Sequence, residues 1–163
     1  MSKPDPTIEQ LYRLHAPAAF RRARRILGDE ADAHEVVQDV FVSLLQQPEQ
    51  YSGKSSLATF LYSAVTHACL NRIRNRRTRE RLGAHESSAT SRSQPLNAEE
   101  QLALHSALRE LPEQLAQVAV YFYMDELTHD EIARVIGCSR RQVGKLLERI
   151  SSHPAHKELS QCS

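Results

Sequence analysis

A cluster of basic side chains near residue 140 is the part of the sequence best suited to chemistry, namely the binding of a polyanion. Guanidinium and ammonium groups neutralise phosphates and donate hydrogen bonds into a DNA groove. On one predicted helix the outward positions hold Arg140, Arg141, Lys145, Glu148 and Arg149, four of them basic. This spacing predicts a helix that enters the major groove of duplex DNA, whereas an ordinary helical hairpin with a solvated basic face is the alternative.

Two short predicted helices, each with its own capping box, must position these side chains. Thr128 and Glu131 cap the first helix, and Ser139 and Gln142 cap the second. Gly137 supplies the left-handed residue at the turn between them. The apolar positions recur at helical spacing, as Leu127, Ile132, Ala133 and Ile136 in the first helix and Val143, Leu147 and Ile150 in the second. The whole pattern predicts a helix-turn-helix.

A second basic segment ends a long helix that is predicted to begin near Ser56. Beyond Ile73 this helix has no apolar face, and its end carries Arg72, just before Ile73, and then Arg74, Arg76, Arg77, Arg79 and Arg81. Tyr51 lies in the polar loop before the helix, while Phe60 is expected to pack inside. Arginines that neutralise phosphates beside an aromatic side chain are typical of single-stranded nucleic-acid binding, which this segment predicts.

An acidic stripe follows the helix predicted from Asp29 or Asp32 to Gln47. It comprises Asp32, Glu35 and Asp39, with Gln38 beside them, opposite an apolar stripe of Val36, Val37, Val40, Phe41, Leu44 and Leu45. Either the carboxylates form a solvated helix face, or they dock on a basic partner.

The order of these elements predicts an all-α fold of two small helical domains. Residues 5–82 form the first domain and residues 98–151 the helix-turn-helix domain, joined by a flexible serine-rich linker over 83–97. The first helix is expected to start near residues 5–7, opened either by Pro6 or by the Thr7–Gln10 capping box, and to stop at Gly28. Residues 152–163 are expected to form a frayed polar tail.

Composition excludes several classes of function. The 163 residues carry a net charge of +1, but residues 1–82 hold 13 Lys and Arg against 9 Asp and Glu, and residues 98–163 hold 7 against 10. No nucleophile elbow or phosphate-cradling glycine loop is present, so we expect neither enzyme activity nor a cofactor. The three cysteines are isolated, and a metal site made of His153, His156 and Cys162 is less well supported than a polar tail. Without a signal peptide or an apolar run of membrane length, the chain is expected to be soluble and cytoplasmic, in a reducing compartment.

These segments, taken in order, resemble the sigma-70 family of RNA polymerase initiation factors, in particular its extracytoplasmic-function (ECF) group. Residues 31–41, ADAHEVVQDVF, resemble the acidic helix of region 2.2, and residues 51–62, YSGKSSLATFLY, resemble the loop that leads into Thr-Trp-Leu-Tyr. Residues 71–77, NRIRNRR, resemble the basic end of that helix, while residues 107–112 and the helix-turn-helix resemble region 4. The resemblance covers about residues 8–150.

The resemblance implies a role for each set of residues. Core RNA polymerase, through its β′ clamp helices and its β subunit, and promoter DNA would be the partners, and an anti-sigma factor is a further partner that the family allows. The core contacts would be Asp32, Glu35, Gln38 and Asp39. The −10 element would be bound by Tyr51, Ser52, Lys54, Ser55, His67, Arg72, Arg76 and Arg77. The −35 element would be bound by Arg140, Arg141, Lys145 and Arg149.

Four positions depart from the family pattern. His67 stands where Asn is usual, which changes the expected base preference at −10. Gly144 and Leu146 stand where basic residues are frequent, and Ala116 replaces a common Arg. We therefore expect a −35 contact that is weaker than in typical relatives, or differently specific.

The leading hypothesis is a non-enzymatic subunit that directs RNA polymerase to particular promoters. The alternative is a stand-alone helix-turn-helix regulator that binds operators as a dimer, which would have no use for the acidic stripe. A pure protein-interaction module would leave both groups of arginines unexplained.

Overall fold

A computed structural model describes residues 7–81 and 98–162. This part of the chain contains helices and turns and no strand, which confirms the predicted all-α class. The α-helices are α1 (Ile8–Leu27), α2 (Glu30–Gln46), α3 (Leu57–Arg81), α4 (Ala98–Glu110), α5 (Glu113–Ala119), α6 (His129–Ile136), α7 (Arg140–Ser151) and α8 (His156–Leu159). Short 3-10 turns cover Pro48–Gln50 and Ser160–Cys162.

Helices α1 and α2 form a packed pair whose ends are those that the sequence predicts. Thr7 and Gln10 exchange both bonds of a capping box at the start of α1. Gly28 ends α1 with φ 71°, and its N–H donates to the carbonyl of Arg24. Asp29 caps α2 by accepting from the N–H of Asp32. The chain therefore reverses between two helices with almost no loop, so α1 packs along α2.

The core of the first unit lies where α1, α2 and α3 meet. Its fully or nearly fully buried side chains include Ala23, Ile26, Val36, Val37, Phe41, Leu61 and Val65. The apolar stripe predicted for α2 is wrong at its end, because Leu45 is 47% exposed. Tyr12, on α1, is 40% exposed and meets the edge of Phe41 at a ring-centroid distance of 4.9 Å.

The second unit contains the helix-turn-helix. Leu104, Leu108, Leu115, Val118, Ile132, Val143 and Ile150 lie in its core. The sequence predicts a helix that Pro112 opens and whose inner face includes Leu115, Val118 and Phe122. Pro112 is indeed the N-cap of α5. Helix α5 does not continue regularly, because residues Val120–Met124 form a π turn. The wider turn buries Tyr121 and Met124 and leaves Phe122 only half-buried.

The helix-turn-helix itself is built from the predicted caps. Thr128 and Glu131 form the capping box of α6, and Gly137 ends that helix with φ 71°. Ser139 accepts from the N–H of Gln142 at the start of α7, which is the N-cap half of the predicted pair. The sequence also predicts that Asn97 caps α4, but this residue lies outside the described residues.

The apolar stripe predicted for α7 is wrong at one position. Leu146 is 1% exposed, whereas Leu147 is half-buried. The helix is rotated so that Val143, Leu146 and Ile150, at i, i+3 and i+7, share the inner face. Leu146 is therefore a core residue, and its departure from the family pattern removes no charge from the outer face.

The prediction of a frayed tail is also wrong for the residues that follow α7. His153 and the residues after it turn into α8, which packs against α4. Ala155 is 3% exposed and Leu159 is 1% exposed. The His153 ring reinforces the turn, since its Nδ1 accepts from the N–H of Ala155 at 3.2 Å. Two buried apolar side chains thus fix a segment whose sequence is mostly polar.

Within the described residues the chain divides into two compact units, and the division falls in α3 between Cys69 and Leu70. The predicted linker, 83–97, lies outside the described residues, and the predicted domain limits stay a prediction. None of the described helices is both long enough and apolar enough to cross a membrane.

Candidate nucleic-acid interface

The basic side chains of α7 lie where the sequence predicts them, on the outer face of the helix. The exposed positions of α7 carry Arg140, Arg141, Lys145 and Arg149, together with Gln142 and one carboxylate, Glu148. Caps at Thr128 and Ser139 fix the start of both helices, and the core contacts of Val143 fix the rotation of α7. The face can therefore offer several cationic donors to a phosphate backbone or a groove.

One of these arginines already has a carboxylate partner. Arg140 Nη1 lies 3.5 Å from Asp130 Oδ2, which belongs to the first turn of α6. Both side chains are well exposed. The ion pair links the two helices of the motif on the side where the basic face lies, and local sequence patterns give no sign of it.

Glu131, next to Asp130, is committed to the helix cap. Its Oε2 accepts from both the N–H and the hydroxyl of Thr128, each at 2.8 Å. These hydrogen bonds, with a smaller contribution from the charge of Arg134, hold the pKa of Glu131 below its ordinary value.

Gly144 lies on α7 between exposed basic residues. A Cβ built at this position would meet nothing within 4 Å. Close packing therefore does not explain why residue 144 is a glycine. The glycine leaves the middle of α7 without a side chain at this position. The predicted effect on the −35 contact stays a prediction.

A second candidate site is the loop between α2 and α3. The hydroxyl of Tyr51 donates to the carbonyl of Ser55 at 2.7 Å and so closes a short loop. Gly53 has φ 73° at its tip, and the Tyr51 ring rests 5.4 Å from the Phe60 ring. The side chains of Ser52, Lys54 and Ser55 are exposed. Tyr51 thus braces the loop and is itself only partly accessible.

Helix α3 starts from this loop and carries the other residues predicted for single-stranded DNA. Ser56 Oγ accepts from the N–H of Thr59 at 3.1 Å, which caps the helix. Arg72 and Arg76 follow one turn apart, half-buried and exposed respectively, and His67 is half-buried. The side chain of Arg77 lies outside the described residues.

Arg22 on α1 is a positioning residue for α3. Its guanidinium carbon lies 3.5 Å from the centroid of the Tyr62 ring, and its Nε donates to Thr66 Oγ1 at 2.8 Å. Thr66 is fully buried, and its hydroxyl donates in turn to the carbonyl of Tyr62 at 2.8 Å. Arg22 therefore ties α1 to α3 and covers one face of Tyr62. An arginine one turn from the helix end gives no sequence signal for this contact with a distant helix.

The residues of the acidic stripe of α2 are not equally exposed. Glu35, Gln38 and Asp39 are exposed, on the side away from the buried valines. Asp32 is half-buried, and its charge reaches the thiol of Cys69. Burial raises the pKa of Cys69 to about 12, the Arg22 charge lowers it, and the Asp32 charge raises it further. Asp32 therefore faces the interior more than the other three do.

The histidines form no metal site in the part of the chain that the structure describes, where no group of three His, Cys, Asp or Glu side chains could hold an ion. His105 is buried and lies with its Nε2 2.8 Å from the amide nitrogen of Gln101. Phe20 stacks on His34 at 4.1 Å between α1 and α2. His105 and His34 thus each contact a neighbouring side chain of the fold.

The second of the two helical units contains a helix-turn-helix whose second helix exposes several basic side chains, an arrangement typical of DNA-binding proteins. Family models agree over both units: sigma-70 region 2 matches residues 11–79 and sigma-70 region 4 matches residues 101–153. The chain belongs to the sigma-70 family.

Individual relatives are similar over most of the chain. The RNA polymerase sigma factor YlaC of Bacillus subtilis is 25% identical over 88% of this chain and 87% of its own length. The ECF RNA polymerase sigma factor SigE of Mycolicibacterium smegmatis is 24% identical over 88% of this chain and 58% of its own. Among solved structures, the sigma factor RpoE of Bartonella quintana, in complex with the anti-sigma factor NepR, shares the fold. Its TM-score is 0.52 at 19% identity, over 94% of each chain.

This family acts in transcription initiation and is not a family of enzymes. The residues after 153, which include α8, lie outside the region that the family models match.

Proposed function

We propose that the chain binds core RNA polymerase and directs it to promoters by recognising −35 and −10 elements and stabilising the opened strands. The observation that carries this proposal is the exposure of two faces of opposite charge on different helices. Helix α2 presents Glu35 and Asp39, and α7 presents Arg141 and Lys145. A negative face suits a basic protein partner, and a positive face suits DNA.

The core contact is assigned to α2. Glu35, Gln38 and Asp39 would meet the β′ clamp helices, while Asp32, half-buried, would contribute less to the contact and more to the fold. Reversing charge at both Glu35→Lys and Asp39→Lys should prevent co-purification with the β and β′ subunits. The matched control is the double reversal Glu99→Lys and Glu100→Lys on α4, two exposed acidic residues that should not affect core binding.

This test also separates the proposal from a stand-alone regulator. A regulator that never meets polymerase would bind its DNA equally well with or without the α2 charge reversals. Co-purification that is unchanged by those reversals would contradict the assigned core contact.

The −35 contact is assigned to Arg140, Arg141, Lys145 and Arg149 on α7. Replacing all four by Ala should abolish promoter-specific initiation in a reconstituted system, because both base-edge donors and phosphate contacts are lost. The purified chain alone should bind duplex DNA poorly. Promoter-specific initiation that survives the four substitutions would refute this assignment.

The −10 contact is assigned to the loop and to α3. Ser52, Lys54 and Ser55 would line the base-binding loop that Tyr51 braces, and His67 with the arginines 72, 76 and 77 would contact the strand. Gly53→Ala tests the loop, since φ 73° is unfavourable for any residue with a Cβ. It should slow strand opening, measured by permanganate reactivity of unpaired thymines, while co-purification with core stays unchanged.

An anti-sigma factor is a further proposed partner, supported by the fold shared with a sigma factor solved in complex with one. The proposed place of action is the cytoplasm, where core polymerase and DNA are found. A pull-down from native cells, asking whether an anti-sigma protein co-purifies in addition to polymerase subunits, tests this part.

A further inference from the structure

Asp130 and Arg140 form an ion pair across the turn of the helix-turn-helix. The pair joins the first turn of α6 to the first residue of α7, with 3.5 Å between Oδ2 and Nη1. We propose that Asp130 is a specificity-determining residue, which competes with DNA phosphates for Arg140 and keeps its guanidinium aimed for a base contact. This inference rests on the proposed −35 role of α7.

The local structure explains why Asp130 rather than its neighbour takes this part. The carboxylate of Glu131 is occupied by two hydrogen bonds from Thr128. Asp130 is the other acidic residue in the first turn of α6, and it is exposed. A carboxylate at this end of a helix is itself stabilised by the helix dipole, so the anchor for Arg140 is a favourable one.

The start of α7 is an unfavourable place for an arginine without a partner. The dipole of α7 repels a cation at its first residue, and α7 has no acidic residue in its first turn. The Ser139 cap fixes the backbone there, so the origin of the Arg140 side chain is fixed too. Asp130 then restrains the far end of the same side chain.

A guanidinium group can serve a carboxylate and a base at once, because it has five N–H donors in a planar fork. In a complex with the correct promoter, Arg140 can keep Asp130 while it donates to a base edge. On random DNA a matching base edge is absent, so the acceptors left to Arg140 are phosphates, and the negative charge of Asp130 opposes their approach. The pair therefore favours specific over non-specific binding.

Exposed ion pairs are weak, so the expected effect is small but measurable. The side chains of Arg140 and Asp130 are 70% and 55% exposed. Their ion pair should therefore change the affinity for DNA by no more than about fivefold. Asp130→Asn should therefore raise affinity for random duplex and lower the ratio of promoter to random binding about two- to fivefold. Affinity for the promoter itself should change little.

The experiment uses the full chain reconstituted with a bacterial core RNA polymerase. The promoter probe is a duplex that this holoenzyme selects from a randomised library, and the competitor is a shuffled duplex of equal length and composition. Asp130→Asn is compared with Glu126→Gln, which removes one exposed negative charge just before α6. Arg140→Ala and the double variant Asp130→Asn with Arg140→Ala complete the cycle.

The inference predicts that Asp130→Asn lowers the binding ratio, that Glu126→Gln does not, and that Asp130→Asn has no effect once Arg140 is Ala. Equal effects of Asp130→Asn and Glu126→Gln would overturn it, and so would an effect that persists without Arg140. If Arg140→Ala lowers the ratio while Asp130→Asn leaves it unchanged, only this inference fails. If Arg140→Ala itself leaves the ratio unchanged, the −35 role of Arg140 fails with it.

Discussion

At the level of single residues, the two glycines of the helix-turn-helix differ in what an added methyl group would do. Gly144 is in the interior of α7 with open space around its missing Cβ. Gly144→Ala should therefore raise the free energy of unfolding by about 0.5–1 kcal/mol through helix propensity. Gly137 has φ 71°, so Gly137→Ala should lower it by about 1 kcal/mol. Urea denaturation of the full chain measures both, and effects of the same sign would contradict this account.

The Thr128–Glu131 capping box should give the second domain a pH dependence. The pKa of Glu131 is lowered in the fold, so its contribution is present above its ordinary value of 4.5 and is lost as the pH falls through the depressed value. Glu131→Gln keeps an oxygen acceptor that does not titrate. The Tm of the native chain should fall relative to the Tm of the Glu131→Gln variant as the pH drops below 4.5. A constant difference down to the acid limit would show that the carboxylate is not the group involved.

Two cysteines should differ sharply in reactivity. Cys69 is fully buried and its pKa is raised to about 12, so almost no thiolate forms near neutral pH. Cys138 is half-buried at the turn before α7. Iodoacetamide at pH 8, followed by peptide mass spectrometry, should label Cys138 and spare Cys69. Labelling in denaturant is the control and should reach both; equal labelling of the native chain would contradict the burial of Cys69.

At the level of elements, α8 is predicted to stabilise the second domain. Leu159 is 1% exposed in a helix that packs on α4. Leu159→Ala should lower the free energy of unfolding by about 2–3 kcal/mol, because it removes buried apolar contacts and leaves a cavity. Gln161→Ala, an exposed neighbour, is the matched control. Equal melting curves for the two variants would show that α8 is not held in place in solution.

Those features of the elements that depend on short-range chemistry could be predicted from the sequence. The caps at Thr7, Thr128 and Ser139 and the stops at Gly28 and Gly137 each need only a few neighbouring residues. What could not be predicted depends on distant partners. The partner of α8 is α4, far back in the chain, and Arg22 meets Thr66 across 44 positions. A basic run or a polar tail looks the same whether or not such a partner exists.

The rotation of α7 about its axis could not be predicted for a second reason. Val143 and Ile150 are compatible with either Leu146 or Leu147 on the inner face, since both leucines fall within a helical stripe. The structure selects Leu146, and the four basic residues remain exposed together with Gln142 and Glu148. The candidate −35 residues were therefore predictable as a set, whereas the Asp130 partner of Arg140 needed the packing of α6 on α7.

At the level of the whole molecule, a net charge of +1 conceals surfaces of opposite sign. Helix α2 exposes carboxylates for the proposed polymerase contact, and α7 exposes cations for the proposed DNA contact. Both contacts are electrostatic, so raising the salt concentration should weaken each of them. Overall charge therefore predicts neither interaction, and the two must be measured separately.

The salt dependence of promoter binding should report the phosphate contacts of α7 one at a time. Lys145 is exposed on its outer face, and a lysine that neutralises a phosphate adds about one unit to the slope of log affinity against log salt. Lys145→Ala in the holoenzyme should therefore flatten the slope by about one unit and weaken binding to all duplexes alike. Lys157→Ala removes an exposed charge that belongs to α8 rather than to α7, and it should leave the slope unchanged. A Lys145→Ala variant that keeps the original slope would mean that α7 does not lie along the phosphates.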